Sequence, residues 1–104
     1  MQTKDVITPI YPRKGGRMTR EAFEESLRRE GYEVYYGGFR AGLENPDHVH
    51  AWDARLMILG GEIAITRDGK AEIFRMGDTC VVPANYPHAE KVGPRGVAFI
   101  AGRK

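Results

Sequence analysis

The sequence predicts an all-β domain, an antiparallel sandwich or barrel preceded by one short helix. Thirteen glycines and six prolines among 104 residues indicate many tight turns. From Tyr32 onward, short runs alternate apolar and polar residues with period two, as half-buried strands do. No helical pattern separates these runs, so the crossovers that a parallel sheet requires are excluded. We expect about seven short antiparallel strands.

The helix is predicted over Thr19–Glu30. Thr19 can cap its N-terminus, Glu21 is favourable in the first turn, and Gly31 ends it. One narrow face is less polar than the rest, and it comprises Ala22, Phe23, Ser26 and Leu27. This stripe predicts that the helix packs with one side against a larger body.

The strands are delimited by turn residues. Asp68-Gly69 suits the positive φ angles of a two-residue type I′ hairpin turn, and Gly77-Asp78 marks another turn. The predicted strands are Glu33–Arg40, Arg55–Leu59, Glu62–Arg67, Lys70–Arg75, Thr79–Pro83 and Val97–Ala101. Asn45–Asp47 and Asn85–Pro87 are predicted loops. Residues 1–31 are then an N-terminal strand and helix extension, and residues 32–104 are the barrel of a single domain.

Composition excludes several classes of partner. The net charge of +2 is too small to indicate nucleic-acid binding, and no apolar run approaches the length of a membrane span. The one basic stretch lacks interleaved aromatic residues and is read as solvated; it comprises Arg13, Lys14, Arg17 and Arg20. The single cysteine, Cys80, excludes an intrachain disulfide and is interpreted as a small buried hydrophobe. With no signal-peptide pattern after Met1, we expect a cytoplasmic protein with no nucleic-acid or membrane partner.

The three histidines form a candidate metal site. His48 and His50 are two residues apart, so on an extended backbone both side chains point to one face. Two imidazoles bind a divalent metal weakly, and His88 is the one remaining histidine that can complete the set. Both histidine segments follow a Pro-containing turn, which favours convergence. The alternative is that each histidine is an ordinary surface or hydrogen-bonded residue.

At these positions the sequence resembles the cupins. Their first motif is Gly, five residues, His-x-His, three or four residues, Glu, six residues and Gly. Here the matching residues are Gly42, His48, His50 and Gly61. Their second motif is Gly, five residues, Pro, one residue, Gly, two residues, His, three residues and Asn. Here the matching residues are Gly77, Pro83 and His88. The resemblance covers Gly42 to Val92 and implies an antiparallel cupin barrel of the jelly-roll type, with His48, His50 and His88 as metal ligands.

Three positions depart from the cupin pattern. Asn85 replaces a glycine and Val92 replaces the closing asparagine, but neither position supplies a ligand. Ala54 occupies the slot of the glutamate ligand and cannot coordinate a metal. Asp53 would reach the histidines only if the backbone bulges, whereas Glu90 has the correct parity and is expected to support an imidazole N–H more readily than to ligate. Three neutral imidazoles with water in the remaining positions are the expected ligand set.

The resemblance implies a divalent transition metal (Fe, Zn, Ni or Mn) and a metal-dependent enzyme, a dioxygenase or a related lyase or isomerase. A metal held by three neutral ligands favours a small anionic or chelating substrate. The alternative is a non-catalytic module that binds or senses a small molecule or metal. Besides Glu90 and Asp53, the residues expected in or around the pocket are Tyr35, Tyr36, Trp52, Leu56, Ile58, Ile63, Ile65, Tyr86 and Phe99. Cupins commonly pair, and an N-terminal strand containing Val6, Ile7 and Ile10 predicts a homodimer.

Overall fold

The computed structural model describes residues 18–104, which form one helix and six strands. The elements are α1 (Arg20–Arg29), β1 (Glu33–Phe39), β2 (Glu44–His48), β3 (Ala54–Arg67), β4 (Lys70–Arg75), β5 (Thr79–Val82) and β6 (His88–Arg103). The predictions for Val6, Ile7 and Ile10 and for the basic residues before Met18 lie outside the described residues. Within residues 18–104, no helix is long and apolar enough to span a bilayer.

Helix α1 confirms the prediction from its capping residues. The Thr19 hydroxyl accepts a hydrogen bond from the Ala22 backbone N–H at 3.0 Å. Phe23 and Leu27 are fully buried against strand residues Met57 and Ile100. Burial of such side chains contributes about 1.5–3 kcal/mol each, so the apolar stripe accounts for the docking of α1 on the sheet.

Two long strands, β3 and β6, organise the sheet because they pair antiparallel along most of their lengths. At one end β5 pairs with β3 and β1 pairs with β6, which gives the layer β5-β3-β6-β1. At the other end β4 pairs with β3 and β2 pairs with β6, which gives the layer β4-β3-β6-β2. Residues from both layers share one core, which comprises Ile58, Ile63, Ile65, Phe74, Cys80, Val82, Val92, Val97, Phe99 and Ala101. The long strands therefore bend, and the two layers face each other.

The bend lies at Gly61 in β3, where the β3–β6 register shifts on both sides. Gly61 has a φ of 71°, in the left-handed region that favours glycine. A Cβ atom at Gly61 would lie 1.9 Å from the carbonyl oxygen of Gly96 in β6. Only glycine permits the two backbones to approach this closely, so Gly61 is a structural requirement of the bend.

The structure confirms the antiparallel all-β class and changes several boundaries. Asp68 and Gly69 both have positive φ, as the predicted type I′ turn requires. Arg55–Leu59 and Glu62–Arg67 are halves of one strand, β3, because Gly60 and Gly61 bend the strand without ending it. Val97–Ala101 is likewise only the second half of β6.

Strand β2 was not predicted. Asn45–Asp47 is not a loop but the centre of β2, an edge strand whose pairing with β6 shifts register between Asn45 and His48. Proline is tolerated at such edges and bulges, which explains why Pro46 does not end the strand. Among the described residues, β1, β2, β4 and β5 each pair with one strand, so the sheet is folded over without closing into a continuous barrel.

The bend allows a matched test of backbone conformation. We expect Gly61→Ala to lower the free energy of unfolding by more than about 2 kcal/mol, because a left-handed φ alone costs an alanine roughly 1–2 kcal/mol. Gly60→Ala is the control, since a Cβ atom there meets no atom within 4 Å. Urea denaturation followed by circular dichroism compares the two variants. Equal stability of the two variants would contradict the close approach of β3 and β6.

Candidate metal centre

The three histidines converge at one place in the fold. His48 ends β2 and His88 begins β6, and the two residues are direct cross-strand partners. Their ring centroids are 4.3 Å apart, and His50, in the loop after β2, lies 4.8 Å from His48 and 5.1 Å from His88. Potential ligand atoms of His48, His50, His88 and Glu90 all lie within 4.8 Å of one another. The strand pairing thus brings together residues that are 40 positions apart in the chain.

Backbone carbonyl groups fix the orientation of two of the imidazole rings. Nδ1 of His48 lies 2.8 Å from the Pro46 carbonyl oxygen, and Nδ1 of His88 lies 2.9 Å from the Tyr86 carbonyl oxygen. A carbonyl oxygen only accepts, so each Nδ1 must carry the proton that it donates. In a neutral ring Nε2 then carries the lone pair, which is the tautomer that metal-ligating histidines use when Nδ1 is held by a backbone carbonyl.

Glu90 brings a carboxylate to the coordinating side of the histidines. Its Oε2 lies 3.5 Å from Nε2 of His88, and its Oε1 accepts a 2.8 Å hydrogen bond from the Asn45 side-chain amide. His88 is 1% exposed and Glu90 is 15% exposed, so water screens their contact only weakly. Two lone-pair atoms that face each other at this distance repel unless a proton or a cation lies between them. This set of donors fits a cation, and Glu90 lies on the Nε2 side of His88, whereas the Tyr86 carbonyl contacts the Nδ1 side.

His50 is held in a form suited to ligation. Burial lowers the pKa of His50, and the neighbouring His88 and His48 rings lower it further, while Glu90 opposes this change. The neutral ring is therefore favoured, and only the neutral ring binds a metal. Its outer face stacks on Trp52, with a centroid distance of 4.9 Å and an interplanar angle of 17°.

Two contacts join the loops that carry the two histidine motifs. The Asn85 backbone N–H donates to the His50 carbonyl oxygen at 2.7 Å, and the Ala84 N–H donates to Oδ1 of Asp53 at 2.7 Å. Asp53 is thus committed to the loop contact and is absent from the cluster of potential ligands. Asn85 has a φ of 61°, the left-handed conformation expected where cupins often have glycine.

The histidines form one wall of a cavity of about 180 Å³ between the two layers. This volume suits a molecule somewhat larger than benzene, since an engineered cavity of about 150 Å³ binds benzene. The lining residues are Tyr35, Phe39, Asn45, His48, His50, Trp52, Ala54, Leu56, Ile63, Ile65, Val82, His88, Glu90, Phe99 and Ala101. Most of this wall is apolar, so polar contacts are concentrated at the histidine end.

Several residues expected at the pocket lie elsewhere. Ile58 is fully buried in the core and does not line the cavity. The hydroxyl of Tyr86 donates to the Asp68 carboxylate and not to the site, although the Tyr86 backbone carbonyl contacts Nδ1 of His88. The hydroxyl of Tyr36 contacts Arg20 and Glu24 of α1. Strand position explains Tyr36, since adjacent residues face opposite sides and its neighbour Tyr35 lines the cavity.

Asn45 is a site residue that the sequence did not indicate. It lines the cavity and fixes Glu90, which is its direct cross-strand partner. Asn-Pro is a common turn signal, and it concealed the edge strand. The pairing of Asn45 with Glu90 depends on a register that one sequence does not determine.

Comparison with known families agrees with the fold. A family model described as "Cupin domain" matches residues 38–92, which is more than half of the chain. The chain therefore belongs to the cupin family. A search of curated proteins finds no match.

Solved structures share the fold at low sequence identity. A conserved protein of unknown function from Streptococcus pyogenes is 26% identical, with a TM-score of 0.59 over 69% of this chain and 62% of that chain. A structure from a study of DMSP lyases is 21% identical, with a TM-score of 0.64 over 72% of this chain and 39% of that chain. KdgF from Halomonas sp. is 18% identical, with a TM-score of 0.59 over 69% of this chain and 67% of that chain.

Cys80 lies in the core, and its environment predicts low reactivity. Burial raises the pKa of the Cys80 thiol to about 12, so almost no thiolate forms at pH 8. Because the thiolate is the nucleophile, we expect native protein to react with Ellman's reagent at least about 100-fold more slowly than protein in guanidinium chloride. Absorbance of the released thiol reports both rates. Rapid stoichiometric reaction of the native protein would contradict the buried placement of Cys80.

Proposed function

We propose that this cupin binds one divalent transition metal through His48, His50, His88 and Glu90 and acts as a metal-dependent enzyme on a small anionic or chelating molecule. The observation that carries the proposal is the facing pair of Nε2 of His88 and Oε2 of Glu90, 3.5 Å apart. Ligand atoms held at about 2.1 Å from one ion are roughly 3.0–3.4 Å apart, so this pair needs little movement to share an ion.

The donor set limits the metal and its chemistry. Imidazole nitrogens with one carboxylate oxygen suit zinc, iron, nickel and manganese in ligand softness. Such an ion, when bound, polarises an oxygen of a chelating molecule and acidifies water. The carboxylate of Glu90 cancels part of the positive charge, which distinguishes this set from the three neutral imidazoles that the sequence predicted. Three histidines with one carboxylate therefore allow a wider range of reactions than three histidines alone. A lyase, an isomerase and a dioxygenase are all compatible with this set.

The chain would supply a mostly apolar cavity and one held carboxylate around the reacting molecule. The apolar wall, which includes Leu56, Ile63 and Phe99, excludes water and strengthens electrostatic contacts at the histidine end. Asn45 orients Glu90, so this carboxylate can bind a metal or accept a proton at Oε2. This chain shares its fold with a structure from a study of DMSP lyases and with KdgF. Because the sequence identities are low, these similarities support the fold alone.

A binding or sensing module is the second candidate function. Among the residues that line the cavity, the titratable groups are the four proposed ligands and Tyr35. If all four ligands hold the metal, no separate general base remains except a partly exposed tyrosine. Oxygen uptake or product formation by the metal-loaded protein with small chelating acids would favour the enzyme over the module.

Metal titration of single variants tests the proposed site. Wild-type protein purified without a histidine tag should bind one zinc or cobalt ion per chain. We expect His48→Ala, His50→Ala and His88→Ala each to weaken binding by more than about tenfold, because each removes a ligand. Calorimetry gives the affinities, and circular dichroism checks folding. Full affinity in a folded His88→Ala variant would disprove shared ligation.

The role of Glu90 needs its own comparison. Glu90→Gln should weaken metal binding by roughly tenfold, while Glu44→Gln, an exposed carboxylate in β2, should leave it unchanged. Ala54 lies at the slot where the cupin motif has its glutamate, so Ala54→Glu added to Glu90→Ala should restore much of the affinity. Equal binding by Glu90→Gln and Glu44→Gln would remove Glu90 from the ligand set.

We also propose a homodimer. Strand β1 pairs with β6 alone within residues 18–104, and its exposed side chains include Tyr36 and Phe39. An edge strand with exposed aromatic residues is a typical surface for pairing with a second copy. Sedimentation velocity at micromolar concentration should give the mass of two chains. A single species with the mass of one chain, 11.7 kDa, would contradict the dimer.

A further inference from the structure

Arg103 lies beside two aromatic residues of the cavity wall. In β6, Phe99 and Ala101 line the cavity, and Arg103 follows on the same face one pleat further along. Its cross-strand partner in β3 is Ala54, which also lines the cavity. The side chain therefore leaves the sheet on the cavity side, at the end where the sheet meets solvent.

Two rings of the cavity wall hold the guanidinium group of Arg103. Its central carbon lies 5.2 Å from the ring centroid of Trp52 and 5.8 Å from that of Tyr35. The other cation–ring pairs described within residues 18–104 involve Phe23, Tyr32, Tyr36 and Tyr86, which do not line the cavity. Trp52 also stacks on His50. The Trp52 ring therefore separates His50, a proposed metal ligand, from the positive charge of Arg103.

Arg103 already binds a carboxylate in this position. Its Nε donates to Oε1 of Glu33 at 3.1 Å, and the two side chains are 46% and 70% exposed. An ion pair this exposed contributes little to stability and exchanges readily. The planar guanidinium group presents five N–H donors, and the contact with Glu33 uses one of them. A ligand carboxylate can therefore replace Glu33 or bind beside it.

We propose that Arg103 determines specificity for ligands that carry a carboxylate at the end far from the metal. The inference rests on the proposed function and deepens it: the substrate class becomes a small molecule with a metal-chelating group at one end and a carboxylate at the other. Its middle portion contacts the apolar wall and Trp52. Arg103 takes no part in the chemical step, because its charge acts on the distal end of the ligand.

Two hydroxamates of equal length test this assignment. Glutaric acid monohydroxamate chelates a metal through its hydroxamate and ends in a carboxylate. The second compound carries a carboxamide in place of this carboxylate and has the same shape without the charge. Calorimetry on the zinc-loaded full chain should show that the wild type prefers the carboxylate by roughly threefold to tenfold. Arg103→Gln should remove this preference without changing affinity for the carboxamide, and Arg103→Lys should retain part of it.

Glu33→Gln should change the preference for the carboxylate in the direction opposite to Arg103→Gln. Removing the internal competitor should strengthen carboxylate binding and leave carboxamide binding unchanged. Arg75→Gln is the control, because Arg75 is an exposed arginine that pairs with Glu62 and lines a separate pocket that contains none of the histidines. Equal affinity of wild type for the two hydroxamates, or an unchanged preference in Arg103→Gln, would overturn the role of Arg103 while leaving the metal site intact. Failure of the wild type to bind zinc would overturn the metal site and, with it, this assignment.

Discussion

The antiparallel pairing of β3 with β6 is the constraint on which the rest of the structure depends. These two strands belong to both layers, and their bend at Gly61 turns one continuous sheet into two facing halves. A side chain at Gly61 would collide with the Gly96 carbonyl oxygen, so the bend depends on two backbones in close contact. Without this bend Leu56 and Ile65, which lie in different halves of β3, would not line one cavity.

The same pairing explains how four polar side chains remain together beside an apolar cavity. A buried polar group costs free energy unless it is hydrogen-bonded. His48 and His88 each use a nearby carbonyl group, and Glu90 uses the Asn45 amide. These contacts satisfy one side of His48, His88 and Glu90 and leave the other side directed at the neighbouring groups, while His50 stacks on Trp52. A shared cation is the partner that compensates all of the remaining lone pairs at once, which is why the geometry favours a metal over a set of unrelated structural histidines.

Local features of the fold were predictable from the sequence, and so was the meeting of the two histidine motifs, but the residue-by-residue pairing of the strands was not. Thr19 at the helix start and Asp68-Gly69 at the hairpin act through their own backbone conformations, so a single sequence is sufficient. His48 and His88 were predicted to converge from motif spacing. The position of Glu90 depends on its pairing with Asn45, and β2 was hidden by Pro46. Nothing local distinguishes Arg103 from any other terminal arginine until the β6 register places it beside Ala54.

The proposed ligand set takes its carboxylate from a different strand than the cupin motif does. In the cupin motif the glutamate side chain would extend from β3 at the position of Ala54, whereas here Glu90 extends from β6 near the Asn45 side chain. Alanine leaves room on the β3 side, and Ala54 pairs with Arg103 across the strands. The cupin slot without a carboxylate is therefore the one at Ala54, which is the cross-strand partner of Arg103. If Glu90 completes the metal site as proposed, the Ala54 side of the cavity carries no protein carboxylate, and the proposed ligand would bind there beside Trp52.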